Sequence, residues 1–166
     1  MGRDRRNERR AEHFTKMIRS SMETPAWRAL SAAAQALYPW LKLEWRGPEA
    51  NNNGKIKLSV RQAADRLGMG INTAARAFHD LQAKGFIFVT EPARLGFGGD
   101  AKSPSFEITE LAMPGGGPDG RKLYRQWREG EDFAVYKATI HNPSGTRKKQ
   151  NPVIKLVTSR HRIGDV

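Results

Sequence analysis

Between Lys57 and Ile87 apolar residues recur twice at helical spacing, with glycines between the two runs. Val60, Ala63, Ala64 and Leu67 share one side of a first helix, while Arg61, Asp65 and Arg66 face away. Ser59 is suited to cap it, and Gln62, three residues on, can reach back to the Ser59 amide as in a capping box. Gly68 stops this helix, Met69-Gly70 fills a short turn, and Ile71-Asn72-Thr73 opens a second helix. Ala74, Ala77, Phe78 and Leu81 make its buried stripe, and Gly85 ends it.

The period then changes from helix to strand. Phe86-Ile87-Phe88-Val89-Thr90 is dense in strand formers, 91–105 (EPARLGFGGDAKSPS) is rich in turn residues, and 106–111 (FEITEL) alternates like a half-buried strand. Ile56-Lys57-Leu58 predicts a short strand that pairs with this hairpin to make a three-stranded sheet. Upstream, Met22 to Trp45 predicts the first helix, with Thr24-Pro25 as N-cap and N1 and with Ser31 capping Ala32 to Lys42; Pro39 is expected to kink or end it. Trp27, Trp40 and Tyr38 read as core. Arg46 to Lys55 reads as a loop of turn formers. The predicted fold class is therefore α+β: a winged helix-turn-helix, meaning a three-helix core with a β-hairpin wing, plus flexible basic tails. The expected organisation is a basic arm or helix over 1–20, the winged domain over 21–113, a linker over 114–120 and a basic extension over 121–166. One short amphipathic helix is expected between Gly120 and Phe133.

The segment 58–87, LSVRQAADRLGMGINTAARAFHDLQAKGFI, resembles the winged helix-turn-helix of bacterial regulators of the GntR and MarR type. It is closest to the GntR pattern LSxRxLAxxLGVSRNTVRRALxxLxxxGLI. Gly70-Ile71 stands where that pattern has Ser-Arg, and Ala75 stands for the first Arg of its Arg-Arg pair, while Asn72, Thr73 and Arg76 remain. The resemblance implies a DNA-binding module. GntR-type regulators usually continue into a large effector-binding domain, which the polar stretch after the linker is too small to build. No small-molecule effector is expected.

Charge strengthens this reading. Lys and Arg number 29 against 17 Asp and Glu, a net +12 that favours polyanions such as double-stranded DNA. With no cysteine, disulfides and thiolate chemistry are excluded. His13, His79, His141 and His161 are scattered, without metal-ligand spacing, and no nucleophile elbow or phosphate-binding loop occurs. Glu91, Asp100, Glu107 and Glu110 read as solvated wing residues. No enzyme activity, metal or cofactor is expected, nor any membrane span or secretory signal.

The function predicted is a sequence-specific transcriptional regulator, a repressor of a bacterium or mobile element, cytoplasmic and nucleoid-associated. Helix 71–84 would read the major groove through Asn72, Thr73, Arg76 and His79. Ser59, Arg61 and Gln62 would lie at the DNA backbone, and Arg94 and Lys102 would grip phosphates from the wing. Arg46, Lys55 and Lys57 could add phosphate contacts. Symmetric operators favour a homodimer. Two alternatives stand beside this: a plasmid or phage replication-initiation or DNA-transfer accessory protein, and a winged-helix protein-interaction module, the latter motivated by Gly70, Ile71 and Ala75.

Overall fold

The computed structural model describes residues 13–93 and 102–137. Among these, five helices and a three-stranded antiparallel sheet form an α+β body. No helix of the described residues is long and apolar enough to cross a membrane.

A short helix, α1 (Arg19–Met22), ends where the expected first helix begins, and the span expected as one helix from Met22 to Trp45 is broken into α2 (Pro25–Arg28) and α3 (Ala32–Leu43). Each break coincides with a cap. Thr24 accepts the Trp27 amide through its side chain with Pro25 at the first helical position, and Ser31 accepts the Ala34 amide. Such hydroxyl caps satisfy amides that have no partner inside the helix, so each starts a new helix. Pro39 lies inside α3 without ending it. Its neighbours Leu37, Tyr38 and Leu41 are fully buried, and that packing outweighs one missing backbone hydrogen bond.

α4 (Val60–Leu67) and α5 (Ile71–Ala83) follow the sequence pattern closely. The Ser59–Gln62 capping box is complete in both directions, and Gly68 closes α4 in the left-handed conformation. α5 packs against α3 and α4 through Ala74, Ala77, Phe78 and Leu81, all buried. Asp80 reaches across to accept the Ser31 amide at 2.7 Å, tying α5 to the start of α3.

The sheet has the order β1-β3-β2, with β1 (Ile56–Lys57), β2 (Ile87–Glu91) and β3 (Ser105–Ile108). Ile56 pairs with Phe106, and Ile87 with Ile108. The register shifts between Val89 and Glu91, and the Thr90 hydroxyl there donates to the Gly54 and Ser105 carbonyls.

The 46–55 loop is built rather than merely turn-forming. Asn53, fully buried, accepts the Ile108 amide and donates to the carbonyls of Ile108, Leu111 and Ala112. Asn51 accepts from the Trp45 indole and the Asn53 amide, and Asn52 bridges the Arg46 amide and the Glu44 carbonyl. Three consecutive asparagines thus supply the hydrogen bonds that close the chain between α3 and β1, each group doing what water would otherwise do.

The structure corrects expectations in two further places. Glu107 and Glu110 are not solvated: they are 3% and 6% exposed. Glu107 holds Arg121 in a two-pronged ion pair, at 2.6 and 2.8 Å. Glu110 accepts from Lys42 at 2.5 Å, from Tyr38 at 3.0 Å and from Ser21 at 2.6 Å. Ser21 gives its only hydrogen to that carboxylate, so the Tyr124 phenol, 3.0 Å away, donates to Ser21. Burial first, and then the Glu110 charge, hold the Tyr38 phenol well above its ordinary pKa. The hydrogen-bonded partners in this cluster stand between 68 and 103 residues apart in sequence, a separation no local pattern encodes.

The second correction concerns 114–137. The glycine-rich stretch does not detach the residues after it from the domain. Tyr124 and Trp127 belong to the same core as the helices, and Tyr124 stacks on Phe86 at 4.7 Å with ring planes 4° apart. Trp27 and Tyr38 meet the same Phe86 edge-on at 5.6 and 5.2 Å. In place of the helix expected between Gly120 and Phe133 there is one 3-10 turn, Leu123–Arg125, and the chain runs on as an extended strap over α5 and the sheet. Gly85 permits that path. It sits at φ 76°, and a Cβ there would lie 2.7 Å from the Phe133 ring and 2.9 Å from the Tyr124 amide. Asp132 fastens the strap, accepting from Lys84 at 2.7 Å and from the Trp127 indole at 2.8 Å. Those two hydrogen bonds, that to Lys84 first, hold the Asp132 carboxyl below its ordinary pKa.

Candidate nucleic-acid interface

α5 turns its buried stripe inward, so its first two turns present the opposite face to solvent. Asn72, Thr73 and Arg76 are all exposed there, with Ile71 beside them at 54% exposure. Asn72 and Arg76 are one turn apart, and the Arg76 Nε donates to the Asn72 carbonyl at 3.3 Å. That bond uses one of five guanidinium N–H groups, and among the described residues the terminal fork has no hydrogen-bond partner, so it can bind a planar acceptor pair. Asp80, the single acid of α5, is occupied at Ser31, so no carboxylate of this helix opposes an anion at its outer face.

His79 lies on the same side but deeper. With Ala75 and Gln82 it lines a small cleft closed by Val89, Pro104 and Tyr136. Partial burial first, and the nearby Lys137 charge second, lower its pKa from 6.5. A neutral imidazole can both donate and accept, which suits a base edge better than a phosphate.

Ser59 and Gln62 stand at the start of α4. Their acceptor oxygens are spent on the capping box, while the Ser59 hydroxyl hydrogen and the Gln62 amide N–H groups have no partner among the described residues. Both remain donors, the polarity a phosphate requires. Arg61 is exposed next to them. Lys55, Lys57 and Arg46 are exposed as well, and Lys102 is exposed at the base of the β2–β3 connection. Arg94 lies outside the described residues.

The structure therefore gathers Asn72, Thr73 and Arg76 on one helix face, with His79 at its edge, and Ser59, Arg61 and Gln62 on the first turn of α4. Two features escaped the sequence reading. Ile71 is an exposed apolar residue at the mouth of α5, and Tyr136 and Lys137 stand beside His79. The first was visible as an apolar residue off the buried stripe; the second had no local signal. No family model, curated protein or solved structure matches the chain. Among the described residues, no group of three or more His, Asp or Glu side chains is placed to hold a metal ion.

Proposed function

We propose that the protein is a sequence-specific DNA-binding transcriptional regulator, a repressor of a bacterium or mobile element, built as a winged helix-turn-helix. α5 enters the major groove, and the β2–β3 hairpin and the start of α4 hold the backbone. The observation that carries this reading is the outer face of α5. Its first two turns offer Asn72, Thr73 and Arg76 to solvent, free of acids, on a helix braced from behind by α3 and α4.

The chemistry comes from the donors. The terminal fork of Arg76 matches the O6 and N7 acceptors of guanine, and the Asn72 amide matches adenine. Ile71 supplies an apolar contact of the kind a thymine methyl accepts. Ser59, Gln62, Arg61 and Lys102 donate to phosphates, which fixes register without reading sequence. The +12 charge makes the encounter electrostatic and steeply salt-dependent.

Genome-wide mapping of bound sites, followed by titration of the recovered site, tests the reading. Arg76→Ala is expected to cost about 1–3 kcal/mol on that site and to relax preference at one base position, whereas Lys102→Ala weakens cognate and random duplexes alike. Equal losses on both duplexes for Arg76→Ala would remove its reading role. Absence of salt-dependent binding to any duplex would remove DNA as the ligand.

A further inference from the structure

A cavity of about 510 Å³ opens between the chain before α1 and the end of α3, and none of its lining residues belongs to α4 or α5. Its size lies within the ~300–1,000 Å³ usual for small-ligand pockets. Residues 13–18 have neither helix nor strand, and one buried side chain sets their path. Lys42 Nζ, already paired with Glu110, also donates to the Lys16 carbonyl at 2.5 Å. That bond holds the segment beside the end of α3, where Phe14 and Ile18 join Trp45 and Leu111 as apolar lining. Six large apolar side chains stay exposed among the described residues, and three of them fall here: Phe14 at 77%, Ile18 at 46% and, one helical turn on, Met22 at 41%. A cluster of that kind marks a surface that something covers.

The charged lining is cationic. Lys16 and Arg46 are exposed at the cavity, and among the described residues neither side chain has an ion-pair partner. No Asp or Glu lines it. Glu110 beneath is spent on Lys42, Tyr38 and Ser21, and Glu44 is spent on Arg66. The Arg46 amide donates to Asn52 Oδ1 at 2.9 Å, which sets where its guanidinium leaves the backbone. The expectation of no small-molecule effector rested on the small size of the region after the linker, and this cavity is built entirely from residues before it.

We infer that the cavity binds an amphipathic carboxylate. Its apolar body lies against Trp45, Leu111, Ile18 and Phe14, and its carboxylate accepts from Arg46 and Lys16. Each half needs the other. An uncharged apolar molecule leaves both cations unneutralised, and a bare anion leaves the rings in water. The guanidinium fork matches the two oxygens of a carboxylate. The site shares no residue with the face of α5, so it stands whether or not that helix reads DNA.

The test uses the full chain and octanoate as probe, followed by calorimetry and by the indole N–H signals of nitrogen-15-labelled protein. Trp45 Nε1 donates to Asn51 at 2.9 Å beside the cavity, and Trp127 Nε1 donates to Asp132 at 2.8 Å away from it, so one indole reports the site and the other is its control. Octanoate is expected to shift Trp45 and leave Trp127 in place. 1-Octanol, without the charge, should bind about tenfold more weakly, and acetate, without the alkyl body, more than about a hundredfold more weakly. Lys16→Gln and Arg46→Gln should each weaken octanoate about 2–5-fold and leave 1-octanol unchanged, because both side chains are exposed at the rim. Phe14→Ala should weaken both probes roughly 3–10-fold. Urea midpoints of the three variants are expected to match wild type, so lost binding cannot come from unfolding. A Trp45 signal that does not move, equal affinity for octanoate and 1-octanol, or an octanoate affinity that both glutamine variants leave intact overturns the site. So does an equal shift of Trp127, which would mean binding spread over the surface.

Discussion

Truncating Tyr124 to alanine should destabilise the fold by about 3–5 kcal/mol, the usual range for deleting a buried aromatic ring. The structure gives the reasons. The ring is 1% exposed and lies flat on Phe86 at 4.7 Å, so its loss opens a cavity beside the residue that Trp27 and Tyr38 also pack against. The stack itself accounts for about 0.5–1.5 kcal/mol of that total. Tyr124→Phe separates ring from hydroxyl. It removes one hydrogen bond to Ser21 and leaves the Ser21 bond to Glu110 in place, at a cost of about 1 kcal/mol. Against a total stability of about 5–15 kcal/mol for a domain, the alanine variant removes a large share and the phenylalanine variant little. Urea unfolding followed by circular dichroism and tryptophan fluorescence measures both, with the denaturant slope expected to hold constant. An alanine variant within about 1 kcal/mol of wild type would refute the argument. So would a chain ending near Met113 that unfolds cooperatively at the wild-type midpoint, because 114–137 would then be dispensable to the core.

Three further outcomes are expected. Asn53→Ala orphans the buried Ile108 amide and the carbonyls it serves, at about 1–3 kcal/mol for each group left unpaired; faster hydrogen exchange at Ile108 and a lower urea midpoint check it. Glu110→Gln leaves the Lys42 ammonium, 4% exposed, without its counter-charge at a cost of about 3–5 kcal/mol, and adding Lys42→Met should recover part of that loss in a double-mutant cycle. His79 has its folded-state pKa below 6.5, so the unfolded chain binds its proton more readily. Its contribution is therefore complete above that value and is lost as pH falls below it. Urea midpoints at about pH 7.5 and about pH 5 should differ less for His79→Gln than for wild type.

How much of the molecule the sequence disclosed depends on how far apart the interacting residues stand. The Ser59–Gln62 box, the Gly68 stop, the α5 stripe and the Thr24 and Ser31 caps all operate within four residues, and each lies where local chemistry indicates. The three-stranded sheet was legible because β1 alternates and the 86–111 region changes period. The exposed face of α5 was legible as the complement of its stripe. Glu107 and Glu110 misled because a carboxylate in an alternating strand usually faces water, and their partners Arg121, Lys42 and Ser21 are 14, 68 and 89 residues away. The strap was obscured for the same reason. Met113 to Pro118 has the composition of a linker, and what returns Tyr124 to the core is an aromatic plate assembled from α2, α3 and Phe86. Asn51, Asn52 and Asn53 read as generic turn formers, since nothing local names the carbonyls they serve.

The Phe86 plate also bears on how the protein is made. Synthesis proceeds from the N-terminus, so α2, α3, α5 and Phe86 leave the ribosome before Tyr124 does. Until some forty further residues have been added after Phe86, one face of that plate has no ring to cover it. The nascent chain therefore passes through a stage in which its helices can form while the Phe86 face that Tyr124 will cover stays open to solvent. Such a surface is what holding chaperones grip, and the chain outgrows that liability only once Tyr124 closes over Phe86.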